Sequence, residues 1–171
     1  AVFQGAKGLT RIGCAVLRFN FRGVGLSQGQ VRAEGDSPDQ GSGGLHDLKA
    51  ALDWMAARYP GLPLWAAGFS FGAWVALETG AADSRVAVLI GIAPPVNRNT
   101  YSFTQTLAST KPKFLIQGNL DELCPLKDMW AFYGKLKEPK ELVVIDGANH
   151  LFEGKTEEVG DALTDLLGDF E

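Results

Sequence analysis

Gly68-Phe69-Ser70-Phe71-Gly72 is the stretch of this sequence that decides the fold. The apolar run 64–67 precedes it and the helix-prone run 73–77 follows it. A strand, a G-x-S-x-G turn and a helix in this order form the arrangement called a nucleophile elbow. We expect the turn to be too tight for side chains two places either side of the serine, so that both positions require glycine. The strained backbone holds Ser70 clear of the sheet, and the N–H of Phe71 at the helix start can face a developing oxyanion.

The composition is that of a single soluble domain. The 171 residues are 46% hydrophobic and 21% charged, which supplies enough apolar material for a core. A net charge of −4 with scattered basic residues argues against nucleic-acid binding, which needs clustered lysine and arginine. No run of about 18 apolar residues offers a membrane span, and residues 1–20 lack the pattern of a signal peptide. We therefore expect a cytoplasmic protein with no nucleic-acid or membrane partner.

The two cysteines, Cys14 and Cys124, lack C-x-x-C spacing. A disulfide between them stays open, but two thiols in a cytoplasmic protein are the interpretation that we adopt. Together with the two histidines, His46 and His150, these cysteines show no metal-ligand spacing. No metal is therefore expected.

Short apolar runs alternate with helical stretches, which predicts an α/β fold with a mostly parallel sheet and helices on both faces. The apolar residues of these runs are nearly continuous, as in strands buried on both sides. The predicted strands are Cys14–Phe21, Pro63–Phe69, Val86–Ala93, Lys113–Gln117 and Glu141–Ile145. No internal repeat is present, so a single domain, 1–171, is expected.

Helices are predicted between these strands from apolar spacing and stop signals. Apolar residues recur at three- and four-residue steps over 45–59, ahead of Pro60. The helix after the elbow, Phe71–Thr79, is expected to stop at Gly80. The remaining predicted helices are Lys127–Leu136 and Thr156–Leu167.

The segment Gly23–Gly44 carries seven glycines and few large apolar residues. This composition predicts a long mobile surface loop, which we expect to border the functional site. Phosphate binding would be the sharper interpretation of the glycines. However, Gly23-x-Gly25 lacks the third glycine of G-x-G-x-x-G, and no G-K-[ST] occurs. No cofactor is therefore expected.

Ser70 needs a base, because a serine hydroxyl is a poor nucleophile until its proton is removed. His150 follows the predicted strand that ends at Ile145, in a loop at the carboxyl end of the sheet, where α/β folds keep their sites. His46 lies at the start of a predicted helix, where a solvated or capping role is expected. His150 is therefore the candidate base.

The carboxylate that orients the histidine is expected between Ser70 and His150 in the chain. Asp121 lies in the loop that follows the predicted strand 113–117 and is the favoured candidate. Asp146, close to His150, is the alternative, although a carboxylate there can instead cap the following turn.

Four segments occur in one order over most of the chain. They are the F-R-G-x-G-x-S-x-G run within Leu17–Gly29, the elbow at Ser70, Gly118-x-x-Asp121-x-x-x-Pro125, and Gly147-Ala148-Asn149-His150-x-Phe152. In these segments the chain resembles the α/β-hydrolase superfamily, most of all its small bacterial members related to dienelactone hydrolases and small esterases. The resemblance implies that Ser70 is the nucleophile, Asp121 the acid, His150 the base and the Phe71 N–H one oxyanion donor.

The front of the chain departs from that family. Relatives begin with further residues that hold the first strands and a loop of the kind H-P-x-x-x-G-G, which donates the second oxyanion N–H. Ala1–Gly13 resembles the helix that follows this loop, with Phe3, Leu9 and Ile12 as its apolar face. Losing one such donor costs about 10²–10³ in turnover.

The resemblance has a structural consequence as well. In the family's strand order, 1-2-4-3-5-6-7-8, the absent third strand lies between the fourth and fifth, here Cys14–Phe21 and Pro63–Phe69. If these 171 residues are the whole protein, we expect it to be rearranged or a homo-oligomer.

The hypothesis from sequence is a serine hydrolase that cleaves small carboxylic esters through an acyl-enzyme. A small cap, at about 94–110, is expected over the pocket. Side chains expected to contact substrate are Phe69, Trp74, Phe103, Leu151 and Phe152. Two alternatives stay open: a catalytically weak or inactive binding module with this fold, and peptidase or other acyl-transfer chemistry on the same residues.

Overall fold

The computed structural model describes residues 1–29 and 42–170. Helices and strands alternate along these residues. In chain order they are α1 (Val2–Arg11), α2 (Ser42–Arg58), β1 (Leu64–Phe69), α3 (Phe71–Ala82), β2 (Val86–Ile92), α4 (Thr104–Ala108), β3 (Lys113–Gly118), α5 (Leu126–Tyr133), β4 (Lys140–Ile145) and α6 (Thr156–Leu167).

The four strands form one parallel sheet in the order β1-β2-β3-β4. Because parallel strands share a direction, their carboxyl ends meet at one edge, and the loops that follow them lie close together. Helices cover both faces. One core contains Leu9 of α1, Leu163 of α6 and apolar residues of the strands, and the other contains Leu52 of α2 and Leu77 of α3. The predicted α/β fold class is confirmed.

Most predicted elements are confirmed, with shifted ends. α3 continues through Gly80 to Ala82, because the helix is buried in the core there. α5 ends at Tyr133, three residues before the predicted end. α4 was not predicted from the sequence. Of the predicted apolar face of the first helix, Leu9 is buried but Phe3 is exposed, with Lys7 and Arg18 over its ring.

The predicted strand Cys14–Phe21 is wrong for this structure, because those residues form no strand. Residues 15–20 are exposed, among them Val16, Leu17 and Phe19. A strand needs a hydrogen-bonded neighbour, and among the described residues β1 pairs only with β2. The segment is separated from β1 by an apolar groove, which Val16, Leu17 and Phe19 line together with Ala67.

Part of the predicted glycine-rich loop, residues 30–41, lies outside the described residues. Its last residues, Ser42–Gly44, already belong to α2. Along residues 1–29 and 42–170, no helix is both long enough and apolar enough to cross a membrane. The cytoplasmic location stays a prediction from the sequence.

Candidate active site

Ser70 stands between β1 and α3 with φ of +52°, in a backbone region that residues other than glycine rarely adopt. Gly68 makes this turn possible, because a Cβ there would lie 1.9 Å from the carbonyl oxygen of Gly72. The expectation for Gly72 itself is not met, since a Cβ at that position would meet only the Phe21 ring at ordinary contact distance. The turn therefore depends on Gly68.

The backbone N–H of Phe71 lies at the first position of α3. An N–H there precedes the first intrahelical hydrogen bond and points out of the helix end. The structure thus places Phe71 where a helix N-terminus meets Ser70, in agreement with the geometry expected for an oxyanion donor. The donor role itself stays a prediction.

Three predicted site residues form a continuous hydrogen-bonded line. Ser70 Oγ lies 2.9 Å from His150 Nε2, and His150 Nδ1 lies 2.8 Å from Asp121 Oδ2. The Asp121 side chain is fully buried and that of His150 is 5% exposed. The other histidine, His46, is exposed on α2. The carboxyl ends of β1, β3 and β4 therefore bring these three side chains together, although Ser70 and His150 lie 80 residues apart in the sequence.

Asp121 is held by four donors. Its Oδ1 accepts the backbone N–H groups of Leu123 at 2.9 Å and Cys124 at 2.8 Å. Its Oδ2 accepts from His150 and from the side-chain amide of Gln117, each at 2.8 Å. This set of donors satisfies a buried carboxylate and fixes the plane that faces the imidazole.

The alternative acid, Asp146, has a different role in the structure. It is exposed and accepts a hydrogen bond from the Asn119 side chain. Asn119 also accepts the backbone N–H of Gly147, so the pair joins the loop after β3 to the loop after β4. Of the two candidate acids, the structure brings only Asp121 to His150.

The loops that carry Asp121 and His150 approach each other closely at Gly118. A Cβ on Gly118 would lie 2.3 Å from the carbonyl oxygen of Ala148. The same carbonyl accepts the N–H of Leu120 at 3.0 Å. Glu122 Oε2 accepts the backbone N–H of His150 at 3.2 Å, and such backbone hydrogen bonds lower the pKa of Glu122. The position of His150 relative to Asp121 is therefore set by backbone contacts as well as by the side-chain bond.

A small cavity of about 80 Å³ opens beside Ser70 and His150. Its remaining walls are formed by Phe71, Pro95, Arg98, Tyr101, Leu123 and Cys124. Burial raises the pKa of the Cys124 thiol, which favours the neutral form of that side chain. Of these residues the sequence interpretation named only Phe71. Arg98 and Tyr101 lie in the predicted cap segment. The only signal for them in the sequence was that this segment is polar and follows the carboxyl end of a predicted strand.

The segment that carries Arg98 is held in place from both sides. Asn97 Nδ2 donates to the carbonyl of Leu123 at 3.0 Å, and Trp74 Nε1 donates to the carbonyl of Ser102 at 2.8 Å. Within the segment, the Arg98 N–H donates to the Pro95 carbonyl, and the Tyr101 N–H donates to the Arg98 carbonyl. The segment therefore forms a fixed wall of the cavity beside Ser70.

The side chains expected to contact substrate do not line this cavity. Trp74, Phe103 and Phe152 are buried in the core, where large apolar groups beside a motif stabilise the fold. Leu151 is exposed. The Phe69 ring packs 5.3 Å from the His150 ring, and Phe69 lines the groove beside β1. None of the five lines the cavity beside Ser70, and their contact with substrate stays a prediction.

The described residues hold no group of three or more His, Cys, Asp or Glu side chains that could bind a metal. Cys14 and Cys124 are both free thiols.

A parallel sheet with Ser70, His150 and Asp121 joined at its carboxyl edge is the arrangement of an α/β serine hydrolase. The family model described as serine aminopeptidase, S33, matches residues 2–110, and the chain belongs to this family of α/β hydrolases.

Solved structures of this class resemble the chain closely. An α/β serine hydrolase homologue from Coxiella burnetii is 37% identical with a TM-score of 0.86, and the match covers 97% of this chain and 75% of that one. An α/β serine hydrolase without lid from Xanthomonas campestris is 36% identical with a TM-score of 0.81, covering 96% and 70%. An esterase from Pyrococcus furiosus is 25% identical with a TM-score of 0.72, covering 95% and 74%.

Proposed function

We propose that this protein is a serine esterase that cleaves small carboxylic esters through an acyl-enzyme. The observation that carries the proposal is the line from Ser70 Oγ through His150 to buried Asp121, which opens onto a cavity. An esterase among the similar structures supports it. No cofactor is needed for this reaction.

In the proposed reaction each residue has a distinct role. Nδ1–H of neutral His150 donates to Asp121, so Nε2 is free of its proton and accepts that of Ser70 Oγ. Oγ attacks the ester carbonyl, and the N–H of Phe71 stabilises the oxyanion. His150 then protonates the leaving alcohol, which leaves an acyl group on Ser70. Water, activated by His150, releases the acid and restores the serine.

The size of the cavity supports small substrates. About 80 Å³ is well below the roughly 300–1,000 Å³ of pockets that enclose drug-sized ligands. An acyl group of a few carbons fits such a space, whereas a long chain does not. We therefore expect short acyl esters to be the better substrates.

Peptide-bond hydrolysis is the second candidate, because the matching family is described as serine aminopeptidase, S33. The same three side chains can serve both reactions. An aminopeptidase must also bind a free α-amino group. None of the described residues that line the cavity is a carboxylate that could bind this group, so the ester reaction is favoured.

Intact-mass analysis after treatment with a fluorophosphonate tests the proposal. We expect a single adduct on the wild-type protein that is absent from Ser70→Ala and His150→Ala. The matched controls are Ser84→Ala and His46→Ala, which change exposed residues of the same types and should keep the adduct. A folded wild-type protein without an adduct would contradict the proposal and favour a binding module.

Substrate profiling then separates the two reactions. p-Nitrophenyl esters of increasing acyl length and aminoacyl p-nitroanilides are compared on the wild-type protein and on Ser70→Ala. We expect turnover of short esters, reduced by at least about 10⁴-fold in Ser70→Ala. Faster turnover of the anilides than of the esters would replace the esterase proposal with the peptidase.

A further inference from the structure

Gln117 lies next to the candidate site without touching the cavity. It is the fifth residue of β3 and is fully buried among apolar neighbours of that strand. Its Nε2 donates to Asp121 Oδ2 and to the carbonyl of Cys124, both at 2.8 Å. We propose that Gln117 is a positioning residue that sets the orientation of the Asp121 carboxylate toward His150. The catalytic consequence of this inference rests on the proposed function.

The two oxygens of Asp121 are held in different ways. Oδ1 is fixed by two backbone N–H groups of the following loop, Leu123 and Cys124. Oδ2 faces His150, and Gln117 supplies its second hydrogen bond. The second donor holds Oδ2 at the imidazole whether or not the His150 bond is made, so the carboxylate is oriented before reaction.

The chemistry of the surroundings determines which way the amide points. Both neighbours of Nε2 are acceptors, a carboxylate and a carbonyl, so the NH₂ group must face them. The Gln117 Oε1 then points where no described residue donates to it. A buried polar atom without a partner costs about 1–3 kcal/mol.

That cost argues against a purely structural role. Methionine or leucine would fill the same volume in this buried strand without an unpaired oxygen. A glutamine here is accounted for if its two donated bonds hold Asp121 and the loop at Cys124, as the geometry indicates. The cost of the unpaired Gln117 oxygen is then offset by the orientation that Gln117 gives to the Asp121 carboxylate.

The test compares Gln117→Met with the wild-type protein. Methionine keeps the volume and removes both donors, so we expect kcat for a short p-nitrophenyl ester to fall about 10- to 100-fold with KM nearly unchanged. A readout independent of activity is the downfield proton NMR signal of the His150 Nδ1–H, which reports the bond to Asp121. We expect this signal to shift upfield or broaden in Gln117→Met; His150→Ala identifies it, and His46→Ala should retain it.

The matched control is Thr79→Val, which removes another buried oxygen without a partner among the described residues, away from the site. It should leave both kcat and the NMR signal unchanged. A folded Gln117→Met with wild-type kcat and an unchanged signal would overturn the inference. If the signal shifts while the wild-type protein hydrolyses no ester, the positioning role stands and the esterase proposal fails.

A second variant keeps the test decisive if Gln117→Met does not fold. In Gln117→Glu the introduced carboxyl can donate to Asp121 only when it is protonated, and it repels Asp121 when it is ionised. We therefore expect the ratio of wild-type to variant kcat/KM to rise with pH. A ratio near one at every pH would overturn the inference.

Discussion

At the scale of single residues, the site depends on a backbone conformation that Ser70 alone would avoid. Its φ of +52° is tolerated because Gly68 leaves room for the carbonyl of Gly72, and because the turn is fixed between β1 and a buried helix. The Ser70 N–H also donates to the Ile92 carbonyl of β2 at 2.9 Å, which ties the turn to the sheet. The hydroxyl is thus presented to His150 by the fold.

Arg98 leads to a prediction about substrate charge. Arg98 lines the cavity beside Ser70. We expect an ester whose short acyl chain ends in a carboxylate to be hydrolysed faster than the ester of the same length that ends in a methyl group. Arg98→Gln should lower kcat/KM for the anionic ester about tenfold and change the neutral one little, because a charge-assisted bond is worth about 1.5–3 kcal/mol.

Steady-state kinetics with the two p-nitrophenyl esters measures this effect. Lys135→Gln removes the same charge from an exposed position and serves as the control. Equal rates for both esters in wild type and in Arg98→Gln would show that the guanidinium does not contact the acyl chain.

The sequence reveals a site residue when a local motif or a strand end determines its position, and not when only tertiary contacts do. Ser70 lies within a local motif, and His150 and Asp121 follow strand ends, so order and position were enough. Arg98 and Gln117 reach the site only through tertiary contacts that no spacing reveals. The aromatic candidates Trp74 and Phe103 pack in the core, and their distance in sequence from a motif could not indicate whether they face the cavity or the core.

At the scale of elements, Glu78 connects α3 to the short helix α4. Its carboxylate accepts the N–H of Gln105 at 3.1 Å, the N–H of Thr106 at 2.9 Å and the hydroxyl of Thr106 at 2.6 Å. α4 has only five residues, so this anchor replaces the stability that a longer helix would have. The same segment carries the wall of the cavity, which makes Glu78 a remote support of the site.

We therefore predict that Glu78→Ala lowers the free energy of unfolding by about 2–3 kcal/mol, because three hydrogen bonds to a charged acceptor, two of them buried, are lost. Urea denaturation followed by circular dichroism measures the change, and KM for a short ester should rise as the wall loosens. Glu141→Ala, at an exposed position on β4, is the control. A loss below about 0.5 kcal/mol in Glu78→Ala would exclude the anchoring role.

A second element-scale prediction concerns the turn between α3 and β2. Asp83 accepts hydrogen bonds from the backbone and side chain of Arg85, which also pairs with Asp53 of α2 at 2.8 Å. The Arg85 side chain lowers the pKa of Asp83 from 3.8 to about 2. A lowered pKa means that the stabilisation is complete above the unfolded value and disappears as the pH falls toward about 2.

Asp83→Asn should therefore cost about 1 kcal/mol of unfolding free energy at pH 7, allowing for solvent screening of the half-exposed Arg85. The difference from wild type should shrink as the pH falls below about 4. Urea denaturation at pH 7, 5, 4 and 3 measures this, with Asp165→Asn as an exposed control. A difference that stays constant with pH would contradict the assignment to the Arg85 pair.

Element prediction from the sequence worked where burial imposes a pattern. The strands at 86–92 and 113–118 are buried almost throughout, and α6 has a regular apolar face. α4 was not predicted because its five residues, of which four are polar or small, are held by Glu78 from another helix and show no periodicity of their own. The run Cys14–Phe21 has strand-like composition, but composition cannot supply the neighbouring strand that pairing requires.

At the scale of the whole molecule, the sheet ends at β1 in a groove. Beyond it, the exposed apolar side chains of Val16, Leu17 and Phe19 form the opposite wall. The groove comprises two cavities of about 170 and 300 Å³. The half of the β1 backbone that faces it is not paired with any described strand. Unpaired strand edges beside apolar surface promote association between chains.

We predict that the 171-residue chain self-associates through this groove. Each copy presents an extended apolar segment and a β1 edge that no described strand pairs with, so a second copy can supply a partner for that edge. A net charge of −4 opposes the contact only weakly. Multi-angle light scattering over a concentration series should show a mass above that of the monomer. Ala67→Lys places a charge on the exposed centre of the edge and should shift the equilibrium toward monomer. Trp130→Lys, an exposed apolar position on α5, should not. A stable monomer at every concentration would show that the edge is protected within a single chain, and Ala67→Lys would then change only its stability.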